Sequence, residues 1–533
     1  MKNENSLIEM AKTGQLDRRS FMQRAIALGL TASSASLLLS QSALASPKKG
    51  GRFRIGLSGG GTTDSLDPAT TESQMTILMN FTYGNNLTEV NNDGTLIPEL
   101  AETFDSADGK TWTFKLRSGI QFHNGKSLTA DDVIASFNHH RGEASKSAAK
   151  ALLTAVKDIR KQDTQTVIFE LDAANADFPY IVSDYHLIIL PATAEGKIDP
   201  FSGISTGPYV LQEFNAGTKA TFKRNPNYWK SGRAHFDEVE VLVIADTTAR
   251  QNAMINGEVD AIDRVDPKTA HLLERVPSVK TIEVTGTLHY TFPMRVNAPP
   301  FDNNDLRMAL KLAVDREQMV KKILVGHGAV GNDHPISTAN RFHASNLPQR
   351  GYDPDKAKHH LKKSGMEGAK IQLSASDAAF PGAVDAALLY KDSAAKAGID
   401  IEVVREPSDG YWSNVWNKKP WSACYWGGRP TEDWMFSSAY VRDTEWNDTA
   451  WVSGPGVDRF NQLVVAARAE LDNAKRAQMY AEAQQLVSDY GGAVVPMFAN
   501  ILGAIGKNVM HDEKIAANWE NDGDKCAERW WFA

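Results

Sequence analysis

Large aromatic side chains are concentrated in residues 412–451 of this 533-residue chain. Seven of its twelve tryptophans fall in this short segment. They are Trp412, Trp416, Trp421, Trp426, Trp434, Trp446 and Trp451. Rings of this size fill protein cores, but they also line ligand clefts, where they cover apolar or sugar-like surfaces beside a few polar groups. The segment therefore indicates either a core or a binding cleft, and we expect it to supply some of each.

Residues 426–429 are the best cleft candidate within this segment. They follow an apolar stretch at 421–425 that has the composition of a short strand, and Gly427 and Gly428 come next. Paired glycines permit a ligand to approach the backbone closely. We therefore expect Trp426 and Arg429 to face a ligand more than the later tryptophans do.

The sequence indicates no catalysis, metal site or cofactor. It lacks HExxH and Cys-x-x-Cys, and the glycine run at 59–61 lacks the Gly-Lys-Ser/Thr of a phosphate-binding loop. Adjacent histidine pairs at 139–140 and 359–360 lie on helical patterns, where neighbouring positions diverge by about 100° and rarely share one ion. We interpret these histidines as solvated surface residues.

The first 45 residues have the pattern of an export signal. A twin-arginine motif, DRRSFM at 17–22, precedes a mildly apolar run at 25–39 and the small-x-small triplet at 43–45. An amphipathic first helix is the alternative, but the cleavage triplet favours a signal peptide at 1–45. We expect a periplasmic mature protein that begins near Ser46. No Cys follows the apolar run, so a lipid anchor is not expected.

Charge and cysteine content limit the possible partners. The chain carries 58 basic and 65 acidic residues, a net charge of −7, which argues against binding the phosphates of nucleic acid. Its hydrophobic content of 42% is that of an ordinary globular protein. Cys424 and Cys526 are too few for a disulfide framework. An exported protein can pair two cysteines, and the sequence leaves open whether these two do.

Strand and helix patterns alternate along the chain. Period-two alternation predicts strands at 51–58, 111–117 and 239–243. Helical spacing predicts a helix over 133–140 behind a capping-box variant, two helices over 306–324, one from 353 to 365, and a pair over 456–490. We find no internal repeat. This mixture predicts an α/β fold whose lobes the chain crosses more than once.

Many short segments resemble the family of extracellular solute-binding proteins that serve oligopeptide, dipeptide and nickel importers. In chain order they include SLDP at 65–68, WTFKLRSGIQFHNG at 112–125, LTADDV at 128–133, STGPYV at 205–210, KRNPNYW at 223–229, GEVDA at 257–261, AVDR at 313–316 and YDPDKA at 352–357. One such segment alone would be weak evidence for the family. This many segments in the order that the family shows are highly specific evidence for it. The resemblance covers roughly residues 51–365, and a weaker resemblance continues to about residue 500.

The resemblance implies a two-lobed periplasmic binding protein fold with an extra subdomain in lobe I. Lobe I would hold residues 46–86, 205–288 and 492–533, the extra subdomain 87–204, and lobe II 289–491. In this family a ligand lies between lobes that close by a hinge motion. Family members perform no chemistry. They dock on the membrane permease of an ABC importer, whose ATPases supply the energy.

The resemblance also implies two ligand-contacting regions. One is the loop with Thr62, Thr63 and Asp64, and the other is the strand end with Tyr425, Trp426, Gly427, Gly428 and Arg429. Trp412 and Trp434 are further candidates from the aromatic segment. In peptide-binding members an acidic residue three positions after this Trp pairs with the ligand's amino group. Here that position is Arg429, so Asp433 replaces the acid, or Arg429 pairs with Glu432 or Asp433, or Arg429 receives a ligand carboxylate.

The leading hypothesis is therefore a monomeric transport protein. Its ligand would be a short peptide, or a non-peptide such as an opine, a sugar oligomer or a chelated metal. Two alternatives stay open at this point. One is a periplasmic enzyme that acquires a cofactor before twin-arginine export, and the other is a ligand receptor that signals to a membrane partner.

Overall fold

The computed structural model describes residues 47–407, 411–429 and 431–533. The expected signal peptide therefore lies outside the described residues. Within these ranges, no helix is both long and apolar enough to cross a membrane.

Strands and helices are interspersed from one end of the described chain to the other. The strands are β1 (Arg52–Leu57), β2 (Thr88–Val90), β3 (Leu96–Pro98), β4 (Ala101–Asp105), β5 (Thr111–Leu116), β6 (Val156–Asp163), β7 (Thr166–Leu171), β8 (Tyr209–Asn215), β9 (Lys219–Arg224), β10 (Glu238–Val243), β11 (Ala261–Ile262), β12 (Val279–Pro293), β13 (Gly328–Val330), β14 (Lys370–Ala375), β15 (Asp400–Arg405), β16 (Cys424–Trp426), β17 (Ala493–Gly506), β18 (Val509–Met510) and β19 (Trp531–Phe532). The helices are α1 (Gln74–Tyr83), α2 (Ala130–His140), α3 (Phe178–Ile181), α4 (Thr247–Ile255), α5 (Ala270–Leu273), α6 (Asn304–Ala313), α7 (Arg316–Ile323), α8 (Pro354–Ser364), α9 (Ala383–Ala395), α10 (Tyr411–Asn414), α11 (Glu432–Ala439), α12 (Val457–Ala469), α13 (Asn473–Tyr490), α14 (Glu520–Gly523) and α15 (Cys526–Arg529). Short 3₁₀ helices cover Pro68–Thr70 and Ala148–Leu153.

One large mixed sheet runs through the molecule. Its strand order is β16-β12-β17-β11-β1-β10-β9-β8, and β13 also pairs with β17. The two long strands, β12 and β17, pair antiparallel from Val279 opposite Gly506 to Pro293 opposite Ala493. The first end of β12 packs in cores built on β1 and α4, whereas Phe292 near its second end belongs to a core built on α6 and α9. The β12–β17 pair therefore joins two separately packed halves.

The β12–β17 ladder is interrupted where it passes between these halves. Its register shifts between Thr285 and His289. A shift of this kind removes ladder hydrogen bonds and bends the strand. Because neither core packs across the break, this is the position where a hinge between the halves is favoured.

Smaller sheets complete the fold. An antiparallel sheet with the order β4-β5-β7-β6 packs against α2 around Phe114, Phe137 and Phe169. The parallel pair β14–β15 packs against α9, with Leu373 and Ile401 buried between them. These layers of helices on sheets confirm the predicted α/β class.

The predicted elements are present, with their caps. Thr129 and Asp132 form a capping box at the start of α2, and the Asp315 side chain accepts a hydrogen bond from the Gln318 amide at the start of α7. Gly365 ends α8 with a left-handed backbone (φ 73°), which glycine adopts at little cost. Both cysteines are buried and free, so the structure contains no bridge between Cys424 and Cys526.

Two local expectations need correction. Residues 421–425 do not form one strand, because Trp421 bridges to Met294 and Ser422 to Ser374, so only Cys424–Trp426 joins the large sheet. The view of the paired histidines as solvated is wrong for His140, which is buried with its Nδ1 2.8 Å from the Ser147 hydroxyl. The divergence of about 100° between neighbouring helix positions turns one ring of the pair inward.

Candidate functional site

A cleft of about 350 Å³ opens beside the break in β12. Its walls come from both halves of the molecule. The lining residues are Val90, Asn92, Asp93, Gly94, Tyr180, Val284, Thr285, Thr287, Thr338, Ala339, Asn340, Arg341, Arg429, Thr431, Glu432, Lys514, Ile515, Ala517 and Asn518. The cleft is thus placed where a solute would contact both halves and the strand that joins them, which is a common position for small-molecule sites.

The Arg429 guanidinium faces this cleft without a carboxylate partner among the described residues. Its Nη1 donates hydrogen bonds to the carbonyls of Gly427 and Gly428, at 3.1 and 3.2 Å. Burial lowers the pKa of Arg429, while the neighbouring phenol groups of Tyr185 and Tyr425 raise it. A guanidinium stays charged at neutral pH, and an unpaired charge removed from water is costly. The arrangement can therefore receive an anion.

The acidic neighbours of Arg429 have other partners. Both Asp433 oxygens lie 3.0 Å from Nε of Arg468 in α12. One Glu432 oxygen accepts a hydrogen bond from the Phe342 amide at 2.6 Å, and burial raises the pKa of this carboxyl. The pairing of Arg429 with Glu432 or Asp433 that the sequence left open is therefore not formed in this structure.

A close contact within the protein requires glycine at position 428, in addition to any need to leave space for a ligand. A Cβ at this position would overlap the Thr287 hydroxyl on β12, whereas a Cβ at Gly427 would meet nothing closer than Arg429 Nη1 at 3.7 Å. The first glycine is therefore open, and the second holds the Arg429 loop against the hinge strand.

We expect Gly428→Ala to lower the free energy of unfolding by about 1–3 kcal/mol, the usual cost of overpacking. Gly427→Ala is the matched control and should change it by less than about 0.5 kcal/mol. Urea unfolding of both variants measures the difference. Equal effects at the two positions would contradict the contact with Thr287.

Trp426 points into the protein rather than openly into the cleft. It is largely buried, and its Nε1 donates to Asp448 Oδ2 at 3.1 Å. Trp416 Nε1 donates to the same oxygen at 3.1 Å. Asp448 thus ties two indoles of the aromatic segment together, and burial raises the pKa of its carboxyl to about 6.

We expect Asp448 to make stability fall as pH rises. Its folded-state pKa lies above the ordinary value, so its favourable contribution is complete below about pH 4 and is lost as pH rises through about 6. Asp448→Asn should therefore gain stability relative to the native chain between pH 4 and 8, on the order of 2 kcal/mol. Denaturant unfolding at several pH values tests this, with the exposed Asp400→Asn as control. A difference that does not vary with pH would refute it.

Trp412 and Tyr425 form an open aromatic surface. Their side chains are 41% and 44% exposed, and their ring centroids lie 5.7 Å apart at an interplanar angle of 71°. Trp434, half-buried in α11, donates its backbone N–H to the Thr431 hydroxyl. None of these three residues lines the 350 Å³ cleft. Rings left as accessible as those of Trp412 and Tyr425 can still cover an apolar ligand face.

The loop at 62–64 has one structural and two accessible residues. Asp64 accepts hydrogen bonds from the Gly61 amide at 3.0 Å and from the Ser73 hydroxyl at 2.8 Å. Thr62 and Thr63 are exposed. Asp64 therefore shapes this loop, and the two threonine hydroxyls stay available to a ligand.

Asp177 connects the two sides of the cleft. Its carboxylate accepts from Arg341 Nη2 at 2.9 Å and from Arg476 Nη2 at 2.6 Å. Beside it, the Ala176 amide donates to the Arg468 carbonyl at 2.7 Å. Burial by itself would lower the pKa of Arg476, but the Asp177 carboxylate raises it. These contacts join the predicted extra subdomain to predicted lobe II.

Asp177 and Asp448 are important positions that the sequence reasoning missed. Each carboxylate receives donors from residues far away in the chain, so no local spacing marks it. The available signal for Asp177 is weak, an acid just before the Phe-Pro that opens α3.

The comparisons with known proteins agree with this architecture. The dipeptide-binding protein of Escherichia coli strain K12 is 26% identical over 456 residues, covering 78% of this chain and 83% of that protein. The structure of the periplasmic binding protein AgaA of A. tumefaciens R10, in complex with agropinic acid, superimposes with a TM-score of 0.69 at 23% identity, covering 91% of this chain and 99% of that one. HbpA2 of Haemophilus parasuis gives a TM-score of 0.76 at 21% identity, covering 86% and 96%.

The sequence profile of one family covers most of the described chain. Residues 95–448 match the bacterial extracellular solute-binding proteins, family 5, middle region. Members of this family are extracytoplasmic transport receptors rather than enzymes, so the alternative of a cofactor-carrying enzyme is wrong. With its two-lobed fold and the cleft between its halves, this chain belongs to the family 5 extracellular solute-binding proteins.

Proposed function

We propose that the protein is the periplasmic substrate-binding subunit of an ABC importer. It captures a small solute bearing a carboxylate, such as an acidic short peptide or an opine-like amino-acid conjugate, and delivers it as a monomer to a membrane permease. The observation that carries this assignment is Arg429, a guanidinium that faces the cleft without an acidic partner among the described residues.

The chemistry of Arg429 selects the ligand class. A guanidinium repels an ammonium group, and it can hold a carboxylate through two parallel hydrogen bonds. Peptide-binding members of the family carry an acid at this position, so an arginine reverses the charge that the ligand must present. The dipeptide-binding and agropinic acid-binding relatives support a ligand of this size.

The proposed mechanism is closure of lobe II, 289–491, onto lobe I and its extra subdomain, 87–204. The boundary after 288 falls within the register shift at Thr285–His289 of β12. The boundary after 491 falls just before β17, whose residues opposite that shift are Phe498 and Asn500. A solute that contacts both lobes stabilises the closed form, because only differential affinity shifts a two-state equilibrium. Thr62, Thr63, Trp412, Tyr425 and Trp434 are the further ligand contacts that we propose.

Identification of the natural ligand tests this function. Protein purified from its native periplasm under mild conditions should retain a small molecule, which denaturation releases for mass spectrometry. We expect one dominant solute that carries at least one carboxylate. A dominant ligand without an acidic group, confirmed by calorimetry on the stripped protein, would overturn the ligand class.

The twin-arginine signal has its own test. Replacing Arg18 and Arg19 together with lysine should leave the precursor in the cytoplasm, since the paired arginines are the feature that the export machinery reads. Cell fractionation measures the outcome, and a normally exported Sec-dependent protein serves as control. Unchanged export of the double variant would contradict this route.

A further inference from the structure

A second cavity, of about 310 Å³, adjoins the cleft at the hinge. It is lined by residues of the 332–349 loop and by Phe498 of β17, and it shares Thr285 and Thr338 with the cleft. We call this cavity the hinge chamber. A cavity of this volume holds several water molecules or a small organic group. The cleft and the chamber therefore offer adjoining spaces to a single solute.

The hinge chamber differs from the cleft in charge. Among the described residues, no Asp, Glu, Lys or Arg side chain lines the chamber. The cleft, by contrast, is lined by Asp93, Arg341, Arg429, Glu432 and Lys514. A charged group that leaves water loses its solvation, and it needs a counter-charge to recover that free energy. Because the chamber walls supply no counter-charge, the chamber favours an uncharged part of a solute.

His334 contributes a buried polar atom to the chamber. The residue is only 2% exposed, and its Nδ1 is buried without a hydrogen-bond partner among the described residues. Buried polar atoms nearly always have a partner, so this nitrogen indicates a group that comes from outside the chain. Burial lowers the pKa of His334 to about 3, so the ring is neutral at neutral pH. A neutral imidazole nitrogen donates or accepts according to its tautomer, and a hydroxyl group satisfies either form.

The other groups of the chamber suit a hydroxylated carbon chain. The amide side chains of Asn332 and Gln349 are already hydrogen-bonded to neighbouring backbone groups. The hydroxyls of Thr338 and Ser345 have no hydrogen-bond partner within the described part of the chain, and both residues are exposed. Phe498 adds a buried aromatic ring, which can cover the C–H faces of such a chain. The walls thus combine free hydroxyls with an apolar surface.

We propose that the hinge chamber is a second subsite for the same solute, and that it takes an uncharged, hydroxyl-bearing tail while Arg429 holds the carboxylate. Gly428 packs against Thr287, which is two residues from Thr285 at the junction of the two spaces. That separation is about 7 Å along an extended strand, which a six-carbon chain spans. The solute is then a polyhydroxylated acid with one charged end. This inference rests on the proposed carboxylate site, and it adds the chamber as the feature that excludes a second charge.

Three open-chain six-carbon probes test the two ends of such a solute. Gluconate has a carboxylate at one end, glucarate has one at each end, and sorbitol has none. Calorimetry on the stripped mature protein should show that gluconate binds about tenfold more tightly than either of the others. Sorbitol leaves Arg429 without an anion, and glucarate places a second carboxylate in the chamber without a counter-charge.

The outcomes separate this inference from the proposed function. Glucarate binding as tightly as gluconate would overturn the chamber as an uncharged subsite and leave the carboxylate at Arg429 in place. Sorbitol binding as tightly as gluconate would contradict the carboxylate site itself, and with it the proposed ligand class. Absence of gluconate binding at millimolar concentration would overturn the hydroxylated tail, while the proposed function keeps its own test on the natural ligand.

Variants locate the tail within the chamber. His334→Phe keeps a ring but removes the unpartnered nitrogen, and it should weaken gluconate binding by about tenfold, the effect of one lost hydrogen bond. Ser345→Trp, at an exposed position of the chamber wall, narrows the chamber and should also weaken gluconate binding, so it replaces His334→Phe if that variant unfolds. His359→Phe, at an exposed helix position, is the matched control and should leave binding unchanged. Unchanged gluconate affinity in the folded chamber variants would refute the subsite.

Discussion

Replacing Asp177 with alanine is expected to lower the free energy of unfolding by about 3–5 kcal/mol. Asp177 and Arg476 are only 2% and 1% exposed, and their charged atoms lie 2.6 Å apart. Removal of the carboxylate leaves the Arg476 guanidinium buried without its counter-charge. The loss of folding free energy from that unpaired charge is far larger than the net stabilisation that the intact ion pair provides. Arg341, which shares this carboxylate, loses a partner as well. Chemical denaturation monitored by fluorescence measures the loss.

Two comparisons isolate the cause of this loss. Combining Asp177→Ala with Arg476→Met should recover much of the stability, because no buried charge is then left unpaired. Glu482 lies on helix α13, like Arg476, and forms an exposed pair with Arg459 of α12. Glu482→Ala breaks that pair and should cost at most about 1 kcal/mol. An Asp177→Ala effect as small as that of Glu482→Ala would show that the contact contributes little.

The same substitution reports on closure of the lobes. Because Asp177 and its two arginines belong to different proposed lobes, loss of the contact should favour the open form. Small-angle X-ray scattering of the ligand-free variant should give a larger radius of gyration than that of the native chain. An unchanged radius together with the expected loss of stability would mean that Asp177 stabilises the fold without restraining closure.

Arg429→Ala is expected to weaken binding of the native ligand by about 2–5 kcal/mol. Arg429 lines the cleft, and in the described structure only its Nη1 donates hydrogen bonds, to the carbonyls of Gly427 and Gly428. A carboxylate bound at this guanidinium gives up contacts with water. Truncation leaves that carboxylate desolvated and unpaired, which is the costly outcome. Calorimetry with the stripped protein measures the change, and the exposed Arg405→Ala on β15 is the matched control.

A ligand analogue separates a direct contact from an indirect effect. The native chain should prefer the free carboxylate over the corresponding carboxamide, and Arg429→Ala should lose most of that preference. Arg429→Lys should bind with intermediate affinity, because an ammonium keeps the charge but not the two-pronged geometry. Equal discrimination by the native chain and Arg429→Ala would show that Arg429 does not contact the carboxylate.

The sequence by itself determined the fold class and the local elements. The alternation at Thr111–Leu116 and the caps at Thr129 and Asp315 are set by neighbours within a few residues, so their patterns are visible in the chain. The order of many short segments was likewise sufficient for the family. It also selected Arg429, because a charge reversed at one position can be seen without coordinates.

Only the tertiary structure decided which residues meet. The Asp177 carboxylate joins Arg476, 299 positions away, and Asp448 joins the indoles of Trp416 and Trp426, which are 32 and 22 positions before it in the chain. Gly428 was expected to make room for a ligand, yet its neighbour is Thr287 on the hinge strand. Such contacts form when segments that are far apart in the chain pack together. The spacing of residues along the sequence does not indicate which segments will meet.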